Sequence, residues 1–262
     1  MFVDRLKDGM RESNGSVCVG LDPSLNRLPA SVDRTAEGVE AFLGQVIDRT
    51  AEHACVYKPN SAFYEALGSA GMDVLGRTIE QIHARGRPVI LDAKRGDIAS
   101  TAEAYAEAAF GVLGADAITV VPYMGEDAIT PFLERGGFTF ILTLPTNPSA
   151  GSIVDHGAPP LYERVAAMAS GLAERYPGQV GLVVGATRPK SAARLHQLAR
   201  ELPWLVPGVG AQGGSVDAFR EAIGGEHLMV VNASRSIVFA ADPGAAALEL
   251  KQRIKGSFDA RS

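Results

Sequence analysis

The sequence predicts an α/β protein built as a single (β/α)8 TIM barrel, on three observations. Short apolar, β-rich runs alternate with helix-like stretches eight times over 262 residues, the proportions of that fold. The runs are nearly continuous in apolar residues, as in parallel strands covered on both faces. Unusual polar residues then collect at the C-terminal ends of these runs. In a barrel those ends share one face, where active sites are built.

The expected strands are 16–22 (SVCVGLD), 54–59 (ACVYKP), 88–94 (PVILDAK) and 116–122 (DAITVVP). They continue with 138–144 (FTFILTL), 179–185 (QVGLVVG), 204–210 (WLVPGVG) and 228–234 (LMVVNAS). Between them lie Ala-, Leu-, Glu- and Arg-rich stretches such as EGVEAFLGQVIDRTAEHA and PKSAARLHQLARE. The tetrad STAE, 100–103, matches a capping box in which Ser100 and Glu103 satisfy the free amides of a helix start. A doubly wound open sheet is the competing architecture. The absence of GxGxxG after the first strand weighs against it. The domain is expected to span residues 1–262, with a short N-terminal helix and a C-terminal tail. Phe2, Leu6 and Met10 recur every four residues, which makes that helix amphipathic and unlike a signal peptide.

Composition narrows the function. The net charge is -5 with no basic run, so nucleic acid is a poor partner. No apolar run approaches the ~20 residues of a membrane helix. The two cysteines, Cys18 and Cys55, lie in apolar segments and are expected to be buried free thiols, which suits a cytoplasmic protein. The histidines show no zinc-binding spacing.

The stretch LDAKRGDIAST, 91–101, carries the chemistry. Asp92 and Lys94 are two apart on a strand and share a face. Lys58 ends the neighbouring second strand, and Asp97 lies just beyond Lys94. A plain salt-bridge network is the competing explanation, but buried ion pairs are expensive unless function keeps them. Flanking carboxylates favour the charged form of a lysine, which then serves as proton donor to a developing carbanion. A substrate carboxylate placed ~4 Å from an aspartate is repelled by about 4 kcal/mol at an effective dielectric of 20. Enzymatic accelerations need roughly 8–23 kcal/mol. Repulsion therefore supplies only part, and stabilisation of charge left on carbon must supply more.

Asp22, Thr146, Asn147, Gln212 and Arg235 also sit at or just past strand ends. VPGVGAQGGS, 206–215, is glycine-rich before a helix, and NASRSI, 232–237, supplies Arg235 after the eighth strand. Loops after strands seven and eight are the usual phosphate site of this barrel. Gln212 and Arg235 would complete it. The Gly/Pro-rich connection 143–162 is too long for a tight turn and is expected to form a mobile lid.

Together, VGLDPS, VYKPNSAFYE, LDAKRGDIAST, PTNP, VVGATRP, PGVGAQGG and SRSI resemble, in order, the segments of orotidine 5′-phosphate decarboxylases, most closely the bacterial type 2 subgroup. The resemblance implies decarboxylation of orotidine 5′-monophosphate (OMP) to UMP, the last step of UMP biosynthesis, without metal or organic cofactor. It implies a Lys58/Asp92/Lys94/Asp97 tetrad with Lys94 protonating C6. Asp22 and Lys58 would hold ribose hydroxyls. Thr146 and Asn147 would contact the base, and Gln212, Gly213 and Arg235 the phosphate. Asp97 and Thr101 would reach into the partner's site of a homodimer. Three alternatives stay open: a magnesium-dependent sugar-phosphate decarboxylase or aldolase of the same superfamily, a Schiff-base aldolase, and a non-catalytic nucleotide-binding barrel. The magnesium enzymes place an acid where this chain has Lys58. Flanking carboxylates argue against a nucleophilic lysine.

Overall fold

The structure is a computed structural model and describes residues 1–209, 214–224 and 226–259, the last three without side chains. Its eight parallel strands are β1 (Val17–Leu21), β2 (Ala54–Pro59), β3 (Ile90–Arg95) and β4 (Ala117–Val120), then β5 (Phe138–Leu144), β6 (Val180–Val184), β7 (Trp204–Val206) and β8 (Met229–Ala233). β1 pairs with β2 on one side and β8 on the other, and the ladder runs on through β7 to β3. Bridges Tyr57–Val89 and Asn60–Asp92 close β2 onto β3. The Tyr57 amide donates to the Pro88 carbonyl at 3.2 Å across this seam. The sheet is therefore a barrel, as expected.

β7 is shorter than the sequence predicts. Pro207 has no amide to offer the ladder and Gly208 turns at φ 92°, so pairing stops at Val206. The capping box is also absent. The helix Ala99–Ala106 starts before Ser100, with Ile98 in the cap position and no side-chain cap. Ala99 itself sits at φ 49°. That left-handed turn starts the helix two residues too early for Ser100 to cap it.

Strand interiors and helices divide the core. Outside the barrel, Val39, Leu43, Leu75, Ile79, Phe132 and Leu172 pack helices onto the strands, all essentially inaccessible. Inside it, Cys18, Cys55, Val56, Ile90, Ala117 and Val230 form a second cluster. Both cysteines are free and buried. The helix Phe2–Ser13 closes the lower end of this cluster. Phe2 packs at a tilt against Phe138 at 4.6 Å and meets Phe140 edge-on at 5.9 Å. Leu6 completes the seal. Burying each such side chain contributes about 1.5–3 kcal/mol.

Candidate active site

The last residues of β3 bring the charges together. Leu91 faces Ile118 of β4, yet Arg95 faces Val120, so β3 takes four steps where β4 takes two. This bulge lifts Lys94 out of the ladder at φ 45°, a left-handed conformation rare for a side-chain-bearing residue. The Lys94 side chain still meets Asp92, the outcome the i, i+2 spacing predicts, but it does so from the bulge rather than from a regular strand. Its Nζ donates to Asp92 Oδ1 at 2.5 Å. Lys58 Nζ donates to Asp92 Oδ2 at 2.7 Å. Thr119 Oγ1, from β4, donates to Asp92 Oδ1 at 2.9 Å. One carboxylate is thus gripped by two ammonium groups and a hydroxyl.

Burial decides how these charges behave. Lys58 is 3% exposed and Asp92 7%. Burial disfavours the ammonium of Lys58, but the carboxylates of Asp92 and Asp22 outweigh it and hold its pKa above the ordinary range. Burial likewise disfavours the Asp92 carboxylate, and Lys58 with Lys94 more than reverses this, holding it well below the usual range. Both groups are therefore charged at neutral pH. The Lys94 side chain is 44% exposed and reaches the open end of the site.

A cavity of about 400 Å³ opens above this cluster, within the range of small-molecule sites. Asp22, Lys58, Asp92 and Lys94 line one side. Thr146 and Asn147, just past β5, line another, and Arg235, after β8, lines the rim. Leu142, Val183 and Leu205 form its apolar floor. Asp22 Oδ1 and Ser234 Oγ are buried there without hydrogen-bond partners among the described residues. They are polar groups that a ligand in the cavity would pair. Ser234 fits beside β1 because residue 20 is glycine. A Cβ there would stand 2.7 Å from that of Ser234.

The predicted residues are thus mostly convergent. Gln212 and Gly213 lie outside the described residues. Asp97 and Thr101 do not line this chain's cavity. Asp97 Oδ1 instead accepts from the Ile98 amide at 2.9 Å. The 143–162 connection, expected as a lid, carries helical turns at Pro148–Ala150 and Gly151–Val154. Asp155 pairs with Arg188 from the loop after β6. Sequence reasoning missed Thr119, Asn60 and Asn232, which also face the cavity. Their common signal is a hydrogen-bonding side chain at an inward position near a strand's end.

Residues 15–250 match the profile of the family described as Orotidine 5'-phosphate decarboxylase / HUMPS family. An orotidine 5'-phosphate decarboxylase of Herpetosiphon aurantiacus is 44% identical, over 98% of this chain and 96% of its own. One from Dechloromonas aromatica is 42% identical over 91% and 90%. Among solved structures, Leishmania donovani OMP decarboxylase superposes with a TM-score of 0.86 at 40% identity, over 98% of both chains.

Proposed function

The chain belongs to the orotidine 5'-phosphate decarboxylase / HUMPS family, and from that membership we propose that it converts OMP to UMP and carbon dioxide, the last step of UMP biosynthesis, without a metal ion. The observation that carries this reading is the grip of Lys58 and Lys94 on Asp92 at the cavity wall.

OMP would lie with its base toward Thr146 and Asn147 and its ribose toward Asp22 and Lys58. Its phosphate would lie at the rim, beside Arg235. The carboxylate on C6 then faces Asp92, whose charge is locked on by its cationic partners. As the bond from C6 to the carboxyl carbon breaks, carbon dioxide departs and the electron pair stays on C6. Lys94 Nζ stabilises that charge and then delivers its proton to C6, giving UMP. The resulting amine regains a proton from solvent through its exposed side. Both Asp92 oxygens already accept from ammonium groups, so a magnesium ion would have to displace Lys58, a buried cation. This favours decarboxylation of the nucleotide over the magnesium-dependent sugar-phosphate chemistry of the same superfamily.

Mixing the protein with OMP, with and without EDTA, should deplete the ultraviolet absorbance of OMP equally fast. Loss only without EDTA would point to the magnesium chemistry. UMP binding with no loss at all would point to a non-catalytic barrel.

The same reading includes a homodimer that shares its sites. Asp97 and Thr101 sit outside their own cavity while Ile98, between them, is 48% exposed. Tyr123 and Met124, after the adjacent strand, are 67% and 55% exposed. Together they form an apolar rim suited to a second copy. Lys94→Ala and Asp97→Ala proteins should each be inactive and regain activity when mixed, up to about a quarter of wild type for random exchange. Proven subunit exchange without recovery would remove the shared site.

A further inference from the structure

We infer that Thr119 is a positioning residue that sets where the Lys94 ammonium sits. The inference rests on the OMP-decarboxylating reading of the same site.

Thr119 is 1% exposed, and its hydroxyl joins two features of β3. It accepts from the Lys94 amide at 3.0 Å and donates to Asp92 Oδ1 at 2.9 Å. An amide N–H can only donate and a carboxylate only accepts, so the hydroxyl proton has one direction: toward Asp92. The chain from amide to hydroxyl to carboxylate polarises each member in turn.

Its place matters because of the bulge. Lys94 sits in a left-handed conformation that does not maintain itself. Its side chain is 44% exposed and pairs with Asp92. Thr119 holds the backbone of Lys94 and the carboxylate that aims its tip, so both ends of the proton donor are referred to one atom of β4. Two residues on, Val121 repeats the clamp. Its amide donates to the Arg95 carbonyl at 2.8 Å. A Cβ at Gly96 would lie 2.2 Å from Val121 Cγ2. β4 therefore holds the bulged strand before and after its turn, and the hydroxyl is the polar half of that hold.

A reacting group displaced by about 1 Å loses on the order of 10²-fold in rate. Thr119→Val keeps the shape and removes the hydroxyl, and Thr119→Ser keeps the hydroxyl. With OMP, Thr119→Val should lower kcat by about 10- to 100-fold while KM and UMP affinity stay within about threefold. Thr119→Ser should restore kcat to within about threefold of wild type. A purely structural role would lower stability and UMP affinity together and show no serine rescue, which would overturn the inference. So would a folded Thr119→Val protein with unchanged kcat. Wild-type protein is the control: if it does not turn OMP over, the functional reading fails and not the role of Thr119.

Discussion

Replacing Lys94 by alanine is expected to lower kcat for OMP by about 10⁴-fold while the barrel keeps its stability and its UMP affinity. The size follows from what is lost. A positioned general acid contributes about 10²–10⁴-fold, and removing one preorganised charge-stabilising donor costs a further ~10²–10³-fold. The effects act on the same carbon in the same step, so they do not multiply fully. Stability should change little, because the side chain is 44% exposed and the bulge leaves Lys94 outside the ladder. Asp92 keeps Lys58 and Thr119 as partners. Steady-state turnover, a urea melt and UMP titration check these three statements. A variant within about tenfold of wild-type turnover would remove Lys94 as the proton donor.

Asp92→Ala is expected to fail in a different way, losing both turnover and stability. It strands the Lys58 ammonium, 3% exposed, without its 2.7 Å partner. Breaking a buried pair from one side costs about 3–5 kcal/mol. Urea unfolding at pH 7 reads this directly. The pH dependence gives a second check. The folded-state pKa of Asp92 is depressed by Lys58 and Lys94 against the cost of burial. Its stabilising contribution is therefore present above the ordinary aspartate value of 3.8 and fades as pH falls below it. The alanine variant should lack that component of acid destabilisation, so the gap between the two proteins narrows in acid. Equal stability of the two at pH 7 would mean that Lys58 finds another partner.

How much of this was legible in the sequence depended on whether it was written locally. The alternation of apolar runs with amphipathic stretches sufficed for the barrel. The spacing of Asp92 and Lys94 pointed to one side, and the two do meet, but from a bulged Lys94 rather than from a regular strand period. Thr119 was not legible in that way. A threonine within AITV reads as an ordinary β-former, and its partner is 25 or more residues away. The register that brings the two together is itself irregular. The bulge defeats the simple count of residues along β3. The capping box failed for a related reason: Ala99 at φ 49° starts the helix from a turn that no sequence pattern announces. Asp97 illustrates another limit. Its placement beyond its own cavity is a fact of the chain, and the shared-site role proposed for it rests on the family resemblance, not on a local pattern.

The aromatic seal of Phe2, Phe138 and Phe140 has a consequence for traffic. With its lower end stoppered, the barrel is a dead-end vessel. Whatever enters above Leu142, Val183 and Leu205 must leave by the same mouth. A gas released on that floor has no back door and must pass the nucleotide it came from. Its departure and that of the nucleotide are therefore events at one doorway.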